Sequence, residues 1–189
     1  CISDRFVPVS AEQQKRLKQK YGFDPSKPLV IHVGHCSTWR GLEDFAKIHA
    51  AQRMVAASGM FEDKNVVRTL TEAGVKLHSG YLENVEEIYQ MADAYLFPTR
   101  STEFVISIPL SVMEALSCGV PVIGYKSFEN LHAIASFPGA ITLIDSAEQL
   151  DGILSEVIKK KSSHSLLEKA DSWDDVARNV LQMVQEENT

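Results

Sequence analysis

Short apolar runs alternate with helix-like segments along this chain, and no other feature of the sequence restricts the possible fold as strongly. Residues 29–34 follow Pro28 and end in glycine, which is typical of a strand buried on both faces. Further strands are predicted at 53–57, 75–78, 94–97, 120–124 and 140–144. Strands and helices that alternate at this spacing form βαβ units. We therefore predict an α/β fold with a Rossmann-like, doubly wound parallel sheet and helices on both of its faces.

The intervening helices are predicted from capping residues and helix-stop signals. Asp63 is placed to cap a helix that reaches Ala73, with Gly74 as its C-terminal stop. The other predicted helices lie at 41–50, at 85–91 after the cap Asn84, at 107–118, at 129–135, from Ser146 onward and throughout 162–187.

The length and composition of the chain fit a single folded domain. The chain has 189 residues, of which 44% are apolar and 23% are charged, as in ordinary soluble globular proteins. We therefore expect one domain over 1–189, in which 162–189 form a C-terminal helical tail. The sequence starts with Cys1 and has no initiator methionine, so we expect it to be part of a longer protein.

Charge, cysteine content and hydropathy argue against several classes of function. With 25 acidic residues against 19 Lys and Arg, the net charge is −6, and no basic face for nucleic acid is expected. Lys159-Lys160-Lys161 is either the solvated end of a helix, which we favour, or a weak contact for an anionic surface. Three cysteines without a CxxC spacing indicate neither a disulfide framework nor a structural zinc site. No apolar run approaches the roughly 18 residues of a membrane span and no signal peptide is visible, so we expect a cytoplasmic protein.

Ligands of a doubly wound sheet bind at the carboxyl ends of its strands, where the strand order reverses. The fourth predicted strand is followed by a polar loop and then by the helix over 107–118, with Ser107 as its cap and Pro109 in its first turn. The amides of Leu110 and Ser111 have no partner inside this helix, so they are available to bind an anion.

Glu114 lies one turn further along the same face of this helix, about 6 Å along its axis. With a diphosphate on the helix amides, the carboxylate of Glu114 would lie near a ribose and accept hydrogen bonds from two vicinal hydroxyls. The alternative that this geometry leaves open is an ordinary buried helix with Glu114 on its solvated side.

The stretch 89–123 carries a motif of the form AD-x4-P, a loop, and EA-x3-G-x-PV. Its fixed positions are Ala92-Asp93, Pro98, Glu114-Ala115, Gly119 and Pro121-Val122. The motif resembles the donor-domain signature of the retaining GT-B glycosyltransferases called group 1 or family 4. Further matches lie upstream, at Val33-Gly34, Arg40-Gly41 and Gly80-Tyr81-Leu82, so the resemblance covers nearly the whole chain.

The resemblance implies that the chain is one half of a GT-B fold and binds a nucleoside-diphosphate sugar, the donor. In that family a helix glutamate binds the donor ribose, and Glu114 matches it. An arginine and a lysine after the first strand bind the diphosphate. Arg40 stands where the lysine is usual, and would stabilise charge on the leaving diphosphate. Further donor contacts are implied at Gly34, His35, Tyr81, Leu82, Pro109, Leu110 and Ser111.

Two positions depart from the family pattern. His35 replaces the arginine after the strand glycine, so diphosphate binding would be weaker or pH-dependent, unless His35 only closes a turn. Ile106 stands where the family has the first glutamate of a Glu-x7-Glu pair, which contacts the transferred sugar. Either Glu103 takes over that catalytic contact or the contact is lost. We expect its loss, because Ile108 and Pro109 stiffen the connecting segment.

The resemblance also implies a retaining transfer without a metal or other cofactor. The acceptor, a sugar or a lipid-linked molecule, would bind to an N-terminal domain outside this chain, so the chain alone should bind donor and transfer nothing. Peripheral membrane association of the whole enzyme stays open. His32 and His35 are three apart in a strand and face opposite sides, so no metal site is expected.

Two alternatives remain. One is a degenerate donor domain that binds nucleotide without catalysis, which His35 and Ile106 would favour. The other is an unrelated doubly wound domain, such as a flavodoxin-like signalling unit. That fold would need an acidic pocket at the strand ends, and the sequence offers no pair of aspartates there.

Overall fold

Six parallel strands form the centre of the computed structural model, which describes residues 2–103, 105–106, 109–134, 139–167 and 173–186. The strands are β1 (Leu29–Cys36), β2 (Gln52–Glu62), β3 (Lys76–Ser79), β4 (Ala94–Phe97), β5 (Val122–Tyr125) and β6 (Ile141–Ile144). Their order across the sheet is β3-β2-β1-β4-β5-β6, and every neighbouring pair is parallel. The predicted doubly wound α/β fold is confirmed, and the strand order reverses between β1 and β4.

Helices connect these strands. They are α1 (Ile2–Arg5), α2 (Ala11–Lys20), α3 (Lys64–Glu72), α4 (Val85–Met91), α5 (Leu110–Ser117), α6 (Asn130–Ile134), α7 (Leu150–Ile158) and α8 (Trp173–Glu186). Short 3-10 helices lie at Thr38–Arg40, Leu42–Lys47 and Ala147–Gln149. Asp63 caps α3 as predicted, because its Oδ1 accepts hydrogen bonds from the amides of Asn65 (2.8 Å) and Val66 (3.3 Å).

Two predicted boundaries around the sheet are wrong. Strand β2 does not stop at 58–59 but continues to Glu62, which pairs with Cys36 beyond an irregularity in the ladder. Pro109 is the N-cap residue of α5 and not part of its first turn. The predicted cap Ser107 lies outside the described residues.

The C-terminal segment also differs from the prediction. Helix α8 begins at Trp173, and residues 162–167 are not helical. The amide of Ser162 donates to the carbonyl of Gly119 at 2.9 Å, and the amide of Leu166 to that of Leu116 at 2.8 Å. These amides therefore satisfy carbonyls at the end of α5 instead of building a helix of their own.

The sheet is buried on both faces, as a parallel sheet requires. Leu29, Ile31 and Tyr95 belong to one hydrophobic cluster, whereas Val30 and Leu96 belong to a second. Adjacent residues within β1, and within β4, thus pack on opposite faces of the sheet, as the alternation of side chains along a strand requires.

Asp93, a residue of the motif, fastens the amino end of the sheet. Its carboxylate accepts from Nζ of Lys18 at 2.6 Å, from Nε2 of Gln14 at 2.9 Å and from the amide of Leu29 at 2.8 Å. Lys18 is buried, so this ion pair joins α2 to β1 and to the start of β4 with little access for water. Asp93 lies at the edge opposite to the predicted ligand edge, and we assign it a structural role.

Candidate functional site

A depression of about 310 Å³ lies at the carboxyl ends of β1, β2 and β3. Three residues predicted to contact a ligand, Gly34, Tyr81 and Leu82, line it. Apolar groups of Val33 and Ala57 contribute to its walls, whereas the ring of Tyr81 is exposed to solvent. An apolar depression of this size beside polar strand ends suits a flat heterocycle.

A larger cavity, of about 580 Å³, lies at the amino ends of the same strands. Two of its cations are occupied by backbone carbonyls: Arg53 donates to Phe45 (3.1 Å) and Ala73 (2.8 Å), and Lys76 donates to Tyr21. A third, Lys27, lies 3.9 Å from the carboxylate of Asp24. Ala73 and Tyr21 are the C-cap residues of α3 and α2, where cations are favourable. We therefore attribute this cavity to helix capping and place the candidate site at the carboxyl edge.

Glu114 is oriented by a tyrosine from the neighbouring helix. The hydroxyl of Tyr89, a fully buried residue of α4, donates to Oε2 of Glu114 at 2.6 Å. Burial raises the pKa of Glu114, and the bond from Tyr89 partly offsets that rise. Within the described residues Oε1 of Glu114 has no recorded hydrogen-bond partner, so it is the oxygen that can accept from a ligand.

The hydroxyl of Tyr95, a residue of β4, contacts β1. It donates to the carbonyl of Val33 at 3.2 Å and lies 3.4 Å from Nδ1 of His32. The rings of Tyr89 and Tyr95 are stacked at 5.8 Å. Neither tyrosine was predicted as a site residue; both lie in the motif stretch, but only the fold shows that they face α5.

His32 lies beneath Gly34. Nδ1 of the imidazole is 3.1 Å from the carbonyl of Leu96 and therefore carries the proton, which leaves Nε2 as an acceptor. A Cβ at Gly34 would stand 2.8 Å from Nε2, so only glycine fits over this ring. Burial lowers the pKa of His32 to about 4, so the imidazole is neutral at pH 7. The burial of His32 confirms the prediction of a core histidine at this position.

Arg40 and His35 approach each other at the carboxyl end of β1, His35 from within the strand and Arg40 from the short 3-10 helix that follows it. Nη2 of Arg40 is 3.5 Å from Nδ1 of His35, which is the upper limit for a hydrogen bond. Arg40 is half-buried, and burial lowers the pKa of its guanidinium. Because arginine stays protonated in proteins, the group is a partly desolvated cation at the ligand edge.

The amino end of α5 presents the predicted amides. The first hydrogen bonds of this helix run from Val112 (3.0 Å) and Met113 (3.3 Å) to the carbonyl of Pro109. The amides of Leu110 and Ser111 precede these bonds, so no helical carbonyl satisfies them. Pro109 is buried, and the side chain of Leu110 is exposed.

Glu103 is exposed, and its amide donates to Oγ of Ser101 at 3.2 Å. Ile106 is also exposed. Residues 104, 107 and 108, which connect Glu103 to α5, lie outside the described residues. Whether Glu103 replaces the missing glutamate therefore stays a prediction.

Two further side chains beside this edge, Asp44 and Arg100, were not predicted. Nη2 of Arg100 lies 2.6 Å from Oδ2 of Asp44, and this ion pair joins the segment after β1 to the loop after β4. Asp44 occurs in a stretch that reads as a plain amphipathic helix, so no local signal marks it.

Two cysteines of the described residues are buried, and one lysine is bound to backbone carbonyls. Cys36 and Cys118 are buried free thiols, as expected without a disulfide framework. Lys161 is not the solvated helix end that the sequence suggests, because its Nζ donates to the carbonyls of Gln90 and Ala92 and burial lowers its pKa to about 8.

In the described ranges, no group of three or more His, Cys, Asp or Glu side chains could hold a metal ion, and no helix is long and apolar enough to cross a membrane.

Comparisons with known proteins agree on one family. The family model described as "Glycosyl transferases group 1" matches residues 13–189. The chain is 28% identical over 129 residues to the sulfoquinovosyl transferase SQD2 of Arabidopsis thaliana, a match that covers 66% of this chain and 24% of that protein. A solved glycosyltransferase from Rickettsia africae superposes with a TM-score of 0.75 at 13% identity, covering 97% of this chain and 54% of that one.

A second solved structure, HepE of Anabaena in complex with UDP-glucose, superposes with a TM-score of 0.72 at 17% identity, covering 96% of this chain and 54% of that one. The chain thus corresponds to only part of each of these three proteins. At such low identity, the two solved structures show the fold alone.

Proposed function

Because the chain belongs to the glycosyl transferases group 1 family, we propose that it is the donor-binding domain of a glycosyltransferase and binds a nucleoside-diphosphate sugar. One observation carries this proposal: Gly34, Arg40 and Glu114 lie at the single sheet edge where the strand order reverses between β1 and β4. A family match to residues 13–189 also removes the flavodoxin-like alternative.

Each part of the ligand has a chemically matched partner in this proposal. The base occupies the apolar depression lined by Tyr81 and Leu82. The ribose hydroxyls donate to Glu114, whose Oε1 is not used by the bond to Tyr89. The diphosphate lies against Gly34, where no side chain intervenes, and binds Arg40, His35 and the amides of Leu110 and Ser111. We choose uridine as the first base to test, because HepE was solved with UDP-glucose.

The chemistry proposed for this edge is stabilisation of the leaving group. As the bond from the sugar to the diphosphate breaks, negative charge grows on the diphosphate, and the partly desolvated Arg40 is placed to neutralise it. We propose a retaining, metal-independent transfer to a sugar or lipid-linked acceptor. The acceptor would be bound by a further domain of a longer, cytoplasmic protein.

Calorimetric titration with UDP and with uridine tests the assignment of Arg40. Arg40→Ala should weaken UDP binding by about 1.5–3 kcal/mol, the usual contribution of hydrogen bonds to charged groups, and leave uridine binding unchanged. Arg16→Ala, which removes an exposed arginine on α2, serves as the control and should change neither. If Arg40→Ala weakens both ligands alike, Arg40 shapes the pocket and does not bind phosphate.

A second candidate function is a nucleotide-sugar-binding module without catalysis. Two observations favour it: Ile106 in place of the sugar-contacting glutamate, and His35 in place of the arginine after β1. Both candidates predict UDP binding, so only transfer to an acceptor separates them.

A further inference from the structure

Two buried side chains, Asp44 and Tyr125, and the exposed Arg100 form a polar cluster between the Arg40 segment and the ends of β4 and β5. Oδ2 of Asp44 accepts a hydrogen bond of 2.6 Å from the hydroxyl of Tyr125 and another of 2.6 Å from Nη2 of Arg100. Cζ of Arg100 lies 3.9 Å from the centre of the Tyr125 ring. A buried carboxylate needs such partners to replace its lost hydration, so the three groups hold one another in place.

The segment that carries Arg40 approaches the loop after β4 closely at Gly41. Gly41 has φ 67°, in the left-handed region. A Cβ there would stand 2.6 Å from the carbonyl oxygen of Pro98 and 2.7 Å from Nη1 of Arg100. The loop after β4 therefore packs directly on the backbone next to Arg40, and a displacement of one is passed to the other.

Arg40 has little of its own to fix its position. Its recorded polar contact within the described residues is the long one to His35, and no carboxylate there forms an ion pair with it. Its position must therefore come from the backbone of 38–47, in which Asp44 is buried together with the apolar Leu42 and Phe45 and supplies the polar link to the loop after β4.

We propose that Asp44 is a positioning residue of the diphosphate site: its carboxylate fastens residues 38–47 to the loop after β4 and so fixes where Arg40 stands. The inference rests on the proposed function, which assigns Arg40 to the diphosphate. The proposed function assigns Asp44 no ligand contact: its side chain is only 9% exposed, and the hydroxyl of Tyr125 and the guanidinium of Arg100 bind its Oδ2.

A matched control acts just beyond the C-terminal end of residues 38–47. The carboxylate of Asp151 accepts from the amides of His49 (2.9 Å) and Ala50 (3.0 Å). Asp151→Asn therefore loosens the far end of the segment without touching the cluster around Asp44.

Hydrogen exchange of the unliganded protein tests whether Asp44 holds residues 38–47 to the loop after β4, independently of any ligand. Asp44→Asn should speed amide exchange in both 38–47 and 98–103, because the two segments are fastened together. Asp151→Asn should speed exchange only around 48–51. If exchange in 38–47 and 98–103 is the same in Asp44→Asn as in the parent, the inference is wrong.

Titration with UDP and uridine tests whether the fastening acts through Arg40. Asp44→Asn should raise the Kd for UDP about tenfold and leave that for uridine unchanged. In an Arg40→Ala background the same change should have almost no effect on the Kd for UDP. An equal effect in both backgrounds, or an equal loss for both ligands, would overturn the positioning role. Failure of the parent to bind any of UDP, GDP and ADP would instead contradict the proposed function, while the exchange result still decides whether Asp44 holds the two segments together.

Two milder variants keep the inference testable if Asp44→Asn does not fold. Tyr125→Phe keeps the ring under Arg100 and removes only the hydroxyl donor, and Arg100→Gln removes only the cation. Each should shift exchange in 38–47 and the Kd for UDP in the same direction as Asp44→Asn, by about threefold in affinity. No change in either variant would overturn the inference.

Discussion

The carboxylate of Glu114 is shared between the protein and, on our proposal, the donor ribose. Oε2 accepts from Tyr89, and Oε1 remains for the ligand. Glu114→Gln keeps the shape but removes the charged acceptor, so the affinity for UDP should fall by about 1.5–3 kcal/mol with the fold intact. Calorimetry measures the affinity for UDP, and circular dichroism checks that the fold is intact. Glu156→Gln, on the exposed side of α7, is the control, and equal affinity of Glu114→Gln and parent would contradict the ribose assignment.

His32 makes the stability of the fold depend on pH. Its pKa is about 4 in the folded chain, against 6.5 for an ordinary histidine. Between these values the unfolded chain binds a proton that the folded chain does not, so the free energy of unfolding falls as the pH falls from 6.5 to 4, by roughly 3 kcal/mol. His32→Phe keeps the ring beside Tyr95, stacked at 5.6 Å, and removes the titration.

Urea unfolding of the parent and of His32→Phe, at several pH values between 4 and 7.5, checks this. The difference in free energy of unfolding between the two proteins removes the contribution of the carboxylates that titrate in both. As the pH falls, the free energy of unfolding of the parent should fall relative to that of His32→Phe. A difference that is constant across this range would show that His32 is not the titrating group.

Single residues could be predicted where a local rule marks them. Gly34, Arg40 and Glu114 are marked by a strand end, a motif and helix spacing, and in the structure they lie in β1, shortly after β1 and on the helix that follows β4. Their contacts with a ligand stay predictions. Tyr89 is 25 residues from Glu114, and Asp44 is 56 residues from Arg100. Nothing in the sequence joins such distant side chains, so these contacts required the fold.

At the scale of elements, long-range hydrogen bonds explain why the predicted helix at 41–50 is wrong. The segment forms a 3-10 helix that ends at Lys47, and Ile48 is extended. The amides of His49 and Ala50 donate to Asp151, about a hundred residues away, and so cannot donate to helical carbonyls. The segment is therefore helical only as far as Lys47, because the carboxylate of Asp151 binds the amides that would continue the helix.

The ion pair of Asp93 and Lys18 connects α2 to the amino ends of β1 and β4, so we expect it to affect the stability of several elements together. Asp93→Ala leaves the buried ammonium of Lys18 without its partner. The free energy of unfolding should fall by about 3–5 kcal/mol, the usual cost of breaking a buried pair. Urea denaturation measures it.

Replacing both partners, as Asp93→Leu with Lys18→Met, should cost less than Asp93→Ala alone, since no unpaired charge then remains buried. Asp145→Ala removes the partner of Lys126 in an exposed pair and should change stability by about 0–1 kcal/mol. A cost for Asp93→Ala no larger than that of this control would contradict the structural role of Asp93.

At the scale of the whole molecule, binding and transfer should separate. The chain covers 54% of each of the two solved glycosyltransferases it matches, and the proposal assigns the acceptor to a domain outside it. We expect the isolated chain to bind a labelled UDP-sugar and to transfer no label, whereas the longer protein transfers it. Thin-layer chromatography of products with lipid and sugar acceptors measures this. Transfer by the chain alone would contradict the assignment of the acceptor to another domain. Binding without transfer by the longer protein would favour the non-catalytic module.

The short pairing between β1 and β4 has a mechanical consequence. These central strands are joined in register only at Val30↔Ala94 and Ile31↔Tyr95, whereas β1 pairs with β2 along most of its length. The sheet is thus two ribbons, β3-β2-β1 and β4-β5-β6, that meet along a brief seam. On our proposal, a nucleotide would contact Gly34 on one ribbon and Glu114 on the helix that follows β4 of the other. Binding would then add contacts across this seam, and cohesion of the two ribbons would in turn favour binding.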